Sequence, residues 1–333
     1  MNLSAAIYAI GWLVRDTFRQ ARASGVFWLM LGVSALCIAF CLSVGVRGTA
    51  SLKHGDEPAE FLPANDPQAD PAKAAASGVD IAGGEMTLAF GAVRVPLARD
   101  AGDGVRYIQL VLAGGVADAL GVLLALVWTA GFLPMFLGPG AASVLLAKPV
   151  PRWSLLAGKY LGVLTFVGFQ ALVFVGGTWA ALGARTGVWD MAYLWCVPLL
   201  LLHFAIFFSF SALVAVCTRS TVACVIGSLL FWALCWGMNY GRHLVLGVPE
   251  VQQLPGSLAW LLEGGYWLLP KPADLGVLLF DALDAGHHFG QGLAMQNVQA
   301  RGDFHPEWSV LSSLAFTAAM LYVAGRQFVT TDY

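Results

Sequence analysis

The chain has 333 residues, 58% hydrophobic and only 11% charged, with a formal net charge of −2 and a mean hydropathy of +0.72. A soluble domain carries about 25% charged residues, so this composition excludes a water-soluble fold and places the chain in a bilayer. With no basic tract and no nucleic-acid motif, nucleic acid is excluded as a partner.

The N-terminal stretch "AIYAIGWLVRDTFRQARAS" repeats apolar residues every three or four positions at Ile7, Ile10, Leu13, Val14 and Phe18. That period predicts an amphipathic helix over residues 1–25, lying at the interface with Arg15, Arg19 and Arg22 beside anionic lipid. The apolar run that follows is too long for the core of a signal peptide. Six segments approach or exceed the roughly 20 apolar residues needed to cross the hydrocarbon core. They are Val26–Val46, Ile108–Leu137, Leu161–Ala184, Met191–Val216, Thr221–Tyr240 and Trp308–Ala324, the last being the shortest. The expected fold is therefore an all-α polytopic membrane protein, a six-span domain over residues 26–333.

Orientation follows from the bias of Lys and Arg toward cytoplasmic loops. Arg15, Arg19 and Arg22 precede span one, Lys148, Arg152 and Lys159 separate spans two and three, Arg219 separates four and five, and Arg326 follows six. All fall on one side if both termini are cytoplasmic. External loops then cover residues 47–107 and 241–307. The first holds six basic and nine acidic residues, and a long loop weighs little in this rule. Its Gly48–Gly104 region is rich in Ala, Gly, Asp and Pro and reads as loop. Within it, "VDIAGGEMTLAFGAVRVPLARD" alternates well enough for two short strands with a turn at Gly91, a small β-containing cap. The second external loop predicts two short helices dipping into the outer leaflet, broken at Gly264, Gly265, Pro270 or Pro272; an extra pair of spans is the alternative.

The cytoplasmic segment "GPGAASVLLAKPVPRWSLLAGKYLG" (Gly138–Gly162) has three cations and no acid. Elsewhere, Asp118 in span two is a carboxylate in an apolar run, which at the bilayer centre usually marks function. Because Ala119–Gly138 alone can cross, the expectation is that Asp118 sits at the outer headgroups near Arg99, Asp103 and Arg106. His203 in span four reads as a packing residue. Asp281, Asp284 and His288 share one face if "DALDAGHH" stays helical, a set suited to zinc or copper; Gly286 weakens that helix, and a solvated helix end is the expectation. All six cysteines lie in or at the ends of apolar stretches, so no disulfide framework is expected.

There is no GxxxxGK[ST], HExxH or GxSxG sequence, so ATP-driven work requires another polypeptide. "LLAKPVPRWSLLAGKYLG" (Leu145–Gly162) and "YWLLPKPADL" (Tyr266–Leu275) resemble segments of the membrane subunit of ABC-2-type transporters, particularly the nitrous-oxide-reductase maturation permeases. The resemblance implies an ATPase-coupling loop at residues 138–160, carried here by Lys148, Pro149, Arg152, Trp153 and Lys159. It also implies a dimer with a second permease copy or paralogue, a cytoplasmic ATPase that holds the ATP, and export across a bacterial inner membrane. No cofactor is expected on the chain itself. Many relatives carry an acidic residue where this chain has Gly140, Ala141 and Ala142. Two other functions stay open: a membrane enzyme with an external active site in the Asp281–His288 region, and a scaffold or assembly factor that recruits an external partner through Gly48–Gly104; Asp118, with Asp281, Asp284 and His288, is a candidate for the pathway or an external site.

Overall fold

The computed structural model describes residues 3–47, 84–97, 101–138, 151–248, 256–287 and 289–331. Helix α1 (Leu3–Ala23) buries Ala6, Leu13, Thr17 and Ala21, one stripe of its surface, and exposes Ile7 and Tyr8 on the other side. Two residues after its end comes Gly25, whose φ of 78° lies in the left-handed region that glycine enters without a Cβ penalty. The chain turns there by 74° into α2 (Val26–Leu42), which carries no charge at all.

Strand β1 (Gly45–Arg47) follows α2 directly and pairs antiparallel with β2 (Gly84–Leu88), which pairs antiparallel with β3 (Val93–Leu97). The register sets Val46 opposite Met86 and Met86 opposite Val95. Ser43 ties the strands to the helix: its hydroxyl accepts from Ala89 N at 3.1 Å and its carbonyl accepts from Phe90 N at 3.2 Å.

The second span is a composite rod: α3 (Ala101–Leu110), a π-helical segment (Val111–Gly121), α4 (Val122–Thr129) and α5 (Phe132–Phe136). Eleven residues of π-helix is long for a form that mostly occurs as single bulges, frequently at functional sites. Helix α6 (Arg152–Thr186) is the longest among the described residues at 35 residues, about 52 Å at 1.5 Å per residue, so it projects beyond a ~30 Å hydrocarbon core. A 3-10 turn (Met191–Trp195) leads into α7 (Cys196–Thr218), and α8 (Thr221–Gly247) returns after Arg219 and Ser220. The Ser220 hydroxyl caps α8 by accepting from Ala223 N at 3.4 Å.

Between the last two spans, α9 (Gly256–Leu268) and α10 (Pro272–Ala282) form a helix–break–helix hairpin, followed by α11 (Leu293–Ala300) and α12 (Pro306–Thr330). The hairpin runs beside α8: a Cβ on Gly241 would meet Leu262, and one on Gly265 would strike Met238. On the far side a Cβ on Gly276 would approach Asp118, and one on Gly114 would touch Leu279. The hairpin thus packs among the spans, and Pro270 and Lys271 at its break are buried.

Among the described residues, five helices are long and apolar enough to cross a membrane; the bent pair α1–α2 makes a sixth if counted as one span. The sequence expectation puts that span at residues 26–46 alone, whereas α2 has only 17 helical residues. Helix α7 is the most buried of the five, and aromatic contacts bind its neighbours to it. Tyr160 on α6 donates to the Ala205 carbonyl at 2.7 Å. Phe210, Phe231 and Phe316 stack in sequence from α7 through α8 to α12, with centroids 4.0 and 5.4 Å apart. Contacts also fix which ends lie together: Arg152 reaches Val329, and a Cβ on Gly131 would meet Thr221. The N-terminal helix, the described residues near Gly131 and Arg152, the α7–α8 turn and the end of α12 therefore share one end. The sheet and the α9–α11 region share the other.

Candidate functional site

At the end that holds α1 and the tail of α12, the chain's basic segment enters α6. Arg152 occupies the first turn of that helix, where the positive macrodipole end disfavours a cation. Its guanidinium turns away and donates to the last carbonyls of α12, Val329 O at 3.1 Å and Thr331 O at 3.4 Å. There the helix end is negative and its carbonyls lack intrahelical donors. Trp153 beside it is 42% exposed. Lys148 and Pro149 lie outside the described residues.

Lys159 has a different environment. It is 1% exposed, and its ammonium donates to Gln20 Oε1 at 2.6 Å and Asp16 Oδ2 at 3.2 Å, under the Phe136 ring. The sequence expectation groups it with the ATPase-coupling residues; in the structure its ammonium is buried and fixes α1 to α6. The glycines flanking it explain why α1 comes so close. A Cβ on Gly158 would lie 2.6 Å from Leu13 Cδ1, and one on Gly162 would lie 2.5 Å from Thr17 Oγ1. Small residues four apart allow two helix backbones to approach in this way.

Asp118 lies in the π-helical segment of the second-span rod. Its Oδ1 sits 2.5 Å from His203 Nδ1, the side chains being 13% and 2% exposed. Arg106, expected as a neighbour, instead pairs with Asp190 at 3.5 Å and Asp103 at 3.9 Å. His203 Nε2 is buried with no hydrogen-bond partner. Near this pair, a cavity of about 260 Å³ opens between α2, the second-span rod, α6 and α7, with Val33, Leu120, Leu124, Gln170, Phe174 and Phe204 among its walls. Gln170 Oε1 is buried and unpaired, the amide nitrogen being used on Phe27 O at 3.4 Å.

A third cluster centres on Asp274 at the start of α10, which is fully buried. Its Oδ1 accepts from Asn239 at 2.8 Å and lies 2.6 Å from His243 Nε2. Its Oδ2 accepts from Tyr266 at 2.8 Å and Ser309 at 2.5 Å. Burial alone would push this carboxyl up; the hydrogen bonds from His243, Ser309 and Asn239, with the His243 charge, more than offset it and hold it below its ordinary value. Three residues earlier, Lys271 Nζ lies over the Tyr266 ring at 4.6 Å and donates to Ser312 at 2.5 Å. Burial pushes its amine down to about 8, with Asp274 opposing and the Arg242 charge adding. "YWLLPKPADL" contains three members of this cluster, Tyr266, Lys271 and Asp274. Asn239, His243 and Ser309 come from α8 and α12, and no spacing in the sequence marks them.

Asp281 and Asp284 do not share a helical face. Helix α10 ends at Ala282, and Asp284 adopts φ 52°. Asp281 is exposed and accepts from Gln291 at 3.3 Å, and His288 lies outside the described residues. Among the described residues, no group of three His, Cys, Asp or Glu side chains is placed to hold a metal.

A family model described as "ABC-2 family transporter protein" matches residues 11–254. The chain belongs to that family. No curated protein matches the sequence significantly. The ABC-2 match takes in most of α1 and everything through α8, and with them Arg152, Trp153, Lys159 and the Asp118–His203 pair. It stops before the α9–α10 hairpin, so Asp274 and Lys271 lie outside it. The family is a membrane transport component, in agreement with the apolar helices and with a multi-pass membrane protein.

Proposed function

We propose that the chain is the permease subunit of an ABC-2 exporter related to the nitrous-oxide-reductase maturation permeases. It works as a dimer with a second copy or a paralogue, in a bacterial inner membrane with both termini in the cytoplasm. A separate ATPase binds and hydrolyses the ATP. The observation that carries this reading is the family match over residues 11–254. Support for the orientation comes from the end where Arg15, Arg19, Arg22, Arg152, Lys159, Arg219 and Arg326 gather, since cytoplasmic ends are rich in Lys and Arg.

The coupling surface falls to Lys148, Pro149, Arg152 and Trp153, the last two in the first turn of α6. Force applied there passes along two lines: through Arg152 to the end of α12, and through α6 itself to α1 and the core. Lys159 belongs to the second line as a positioning residue. The apolar cavity beside α2 favours a substrate that is itself largely apolar, a lipid-like or drug-like molecule, with Gln170 Oε1 free to accept one hydrogen bond.

The test is affinity purification of the tagged full chain from native membranes in mild detergent. A stoichiometric P-loop ATPase, lost on combining Lys148→Glu with Arg152→Glu while the permease stays folded, is the expected result. Absence of any ATPase, under conditions that preserve a known transporter complex, would overturn the reading.

A further inference from the structure

At the outer end of α8, away from the basic end of the bundle, a pocket of about 270 Å³ lies between α8 and α9. Its walls are Arg242, Val245, Leu246, Trp260, Leu262 and Glu263. The Arg242 side chain is nine-tenths buried. Its Nε donates to Glu263 Oε2 at 2.8 Å and its guanidinium stacks on the Tyr266 ring at 4.0 Å, yet Nη1 has no partner. An arginine held flat on a ring with a spare donor is prepared for an anionic oxygen.

Glu263 faces the same space and is nearly half exposed. Burial pushes its carboxyl up, but hydrogen bonds from Arg242 and from Trp267 Nε1 at 2.7 Å win, so it stays ionised. Two accepted bonds leave a carboxylate with lone pairs to spare. The pocket is therefore lined by an arginine that keeps one unpaired N–H donor and by a half-exposed carboxylate whose two oxygens each accept a single bond, with four apolar walls. A simple anion would be repelled by Glu263 and a simple cation by Arg242; a zwitterion suits both.

The surroundings say where that zwitterion comes from. The α9 flank next to the pocket exposes Trp260 (82%), Leu261 (60%) and Leu268 (74%). A flank this apolar at the end of a spanning helix belongs against acyl chains, with tryptophan at headgroup level. We propose that Arg242 and Glu263 form a binding site for a zwitterionic phospholipid headgroup, phosphate on Arg242 and primary ammonium on Glu263, with the acyl chains along α9. The site rests on the chain crossing a bilayer, not on transport direction or on any ATPase.

Native mass spectrometry of the purified full chain with added phosphatidylethanolamine, phosphatidylcholine or phosphatidylglycerol tests it. The expected result is roughly tenfold stronger retention of phosphatidylethanolamine, because a quaternary ammonium has no N–H to donate and the glycerol headgroup has no cation. Glu263→Gln should erase that preference. Trp260→Ala, at a site too exposed to affect folding, should weaken retention and guards against a misfolded charge variant. Equal retention of the three lipids, or a preference unchanged in Glu263→Gln, would overturn the proposal. Displacement of the lipid by equimolar soluble glycerophosphoethanolamine would also overturn it, by showing that the ligand is a free headgroup compound. ATPase co-purification is scored separately, so failure here and failure of the transport reading remain distinct.

Discussion

Asp118 Oδ1 and His203 Nδ1 meet at 2.5 Å between the π-helical stretch of the second span and the middle of α7, two residues 85 apart in the chain. A buried ionisable pair is held by mutual hydrogen bonding more than by net stabilisation: removing one partner typically costs about 3–5 kcal/mol, and removing both costs far less. Asp118→Leu or His203→Leu alone should each destabilise the purified protein by about 3 kcal/mol. The double variant should lose clearly less than the sum of the two. A double-mutant cycle on unfolding in detergent reads the coupling; simple additivity would mean the pair does not interact.

Gly162, like Gly158, is a point where α1 lies directly against α6. An alanine Cβ there would meet Thr17 Oγ1 at 2.5 Å and the Leu13 carbonyl at 3.2 Å, and a backbone carbonyl cannot move aside as a flexible side chain can. Overpacking of this kind costs about 1–3 kcal/mol, and here the cheapest relief is for α1 to lift away. Gly162→Ala should therefore raise the thiol reactivity of a Thr17→Cys probe several-fold while the remaining spans stay folded. Unchanged reactivity would show that the contact relaxes without moving α1.

Lys159 and Arg152 stand seven residues apart in one basic segment, and their roles should separate. Lys159→Met removes the ammonium from Asp16 and Gln20, leaving Asp16, 40% exposed, free to be solvated. The expected loss is about 1.5–3 kcal/mol, as for a charge-assisted hydrogen bond, together with a loosened α1. Arg152→Glu should leave Thr17→Cys reactivity unchanged and act on the α12 tail and the ATPase instead. Equal loosening of α1 by both variants would remove the distinction.

The long helices were legible because an apolar run of about twenty residues has few alternatives in a bilayer, and Thr221–Gly247 and Pro306–Thr330 extend beyond the expected apolar cores. Helix α1 was equally legible, from the period of Ile10, Leu13 and Phe18. The pairing of charges was not. "GVADALG" shows a carboxylate, but its partner is one histidine in a distant apolar run, and only the packing of two helices brings them together. Lys159 misled for a related reason: on sequence it is one of three cations in a loop, and its burial depends on two glycines that draw α1 over it. The first strand left no signal at all, since Gly45–Arg47 is three residues at the end of an apolar span and becomes a strand only by pairing with β2.

The Lys271 cluster predicts a pH dependence with a definite sign. The amine has its ordinary value of 10.5 in the unfolded chain and about 8 when folded, burial being the main cause. Below about 8 both states carry the proton, and the penalty of burying the charge is present in full. Between about 8 and 10.5 the unfolded chain binds more protons than the folded one, so stability rises with pH across that window. Each tenfold difference in proton affinity between the two states is worth about 1.4 kcal/mol, which sets an upper bound on the order of 3 kcal/mol for the whole rise. Asp274 acts at the other extreme: its carboxyl is held below 3.8, so its contribution is present above that value and is lost as pH falls through the lower folded one. Thermal unfolding of the purified protein across about pH 7 to 10, beside Lys271→Met, isolates the amine. The variant should be more stable than the wild type at the neutral end, and the difference should shrink toward the alkaline end. A difference that stays constant over that range would mean that Lys271 keeps its proton in the folded protein.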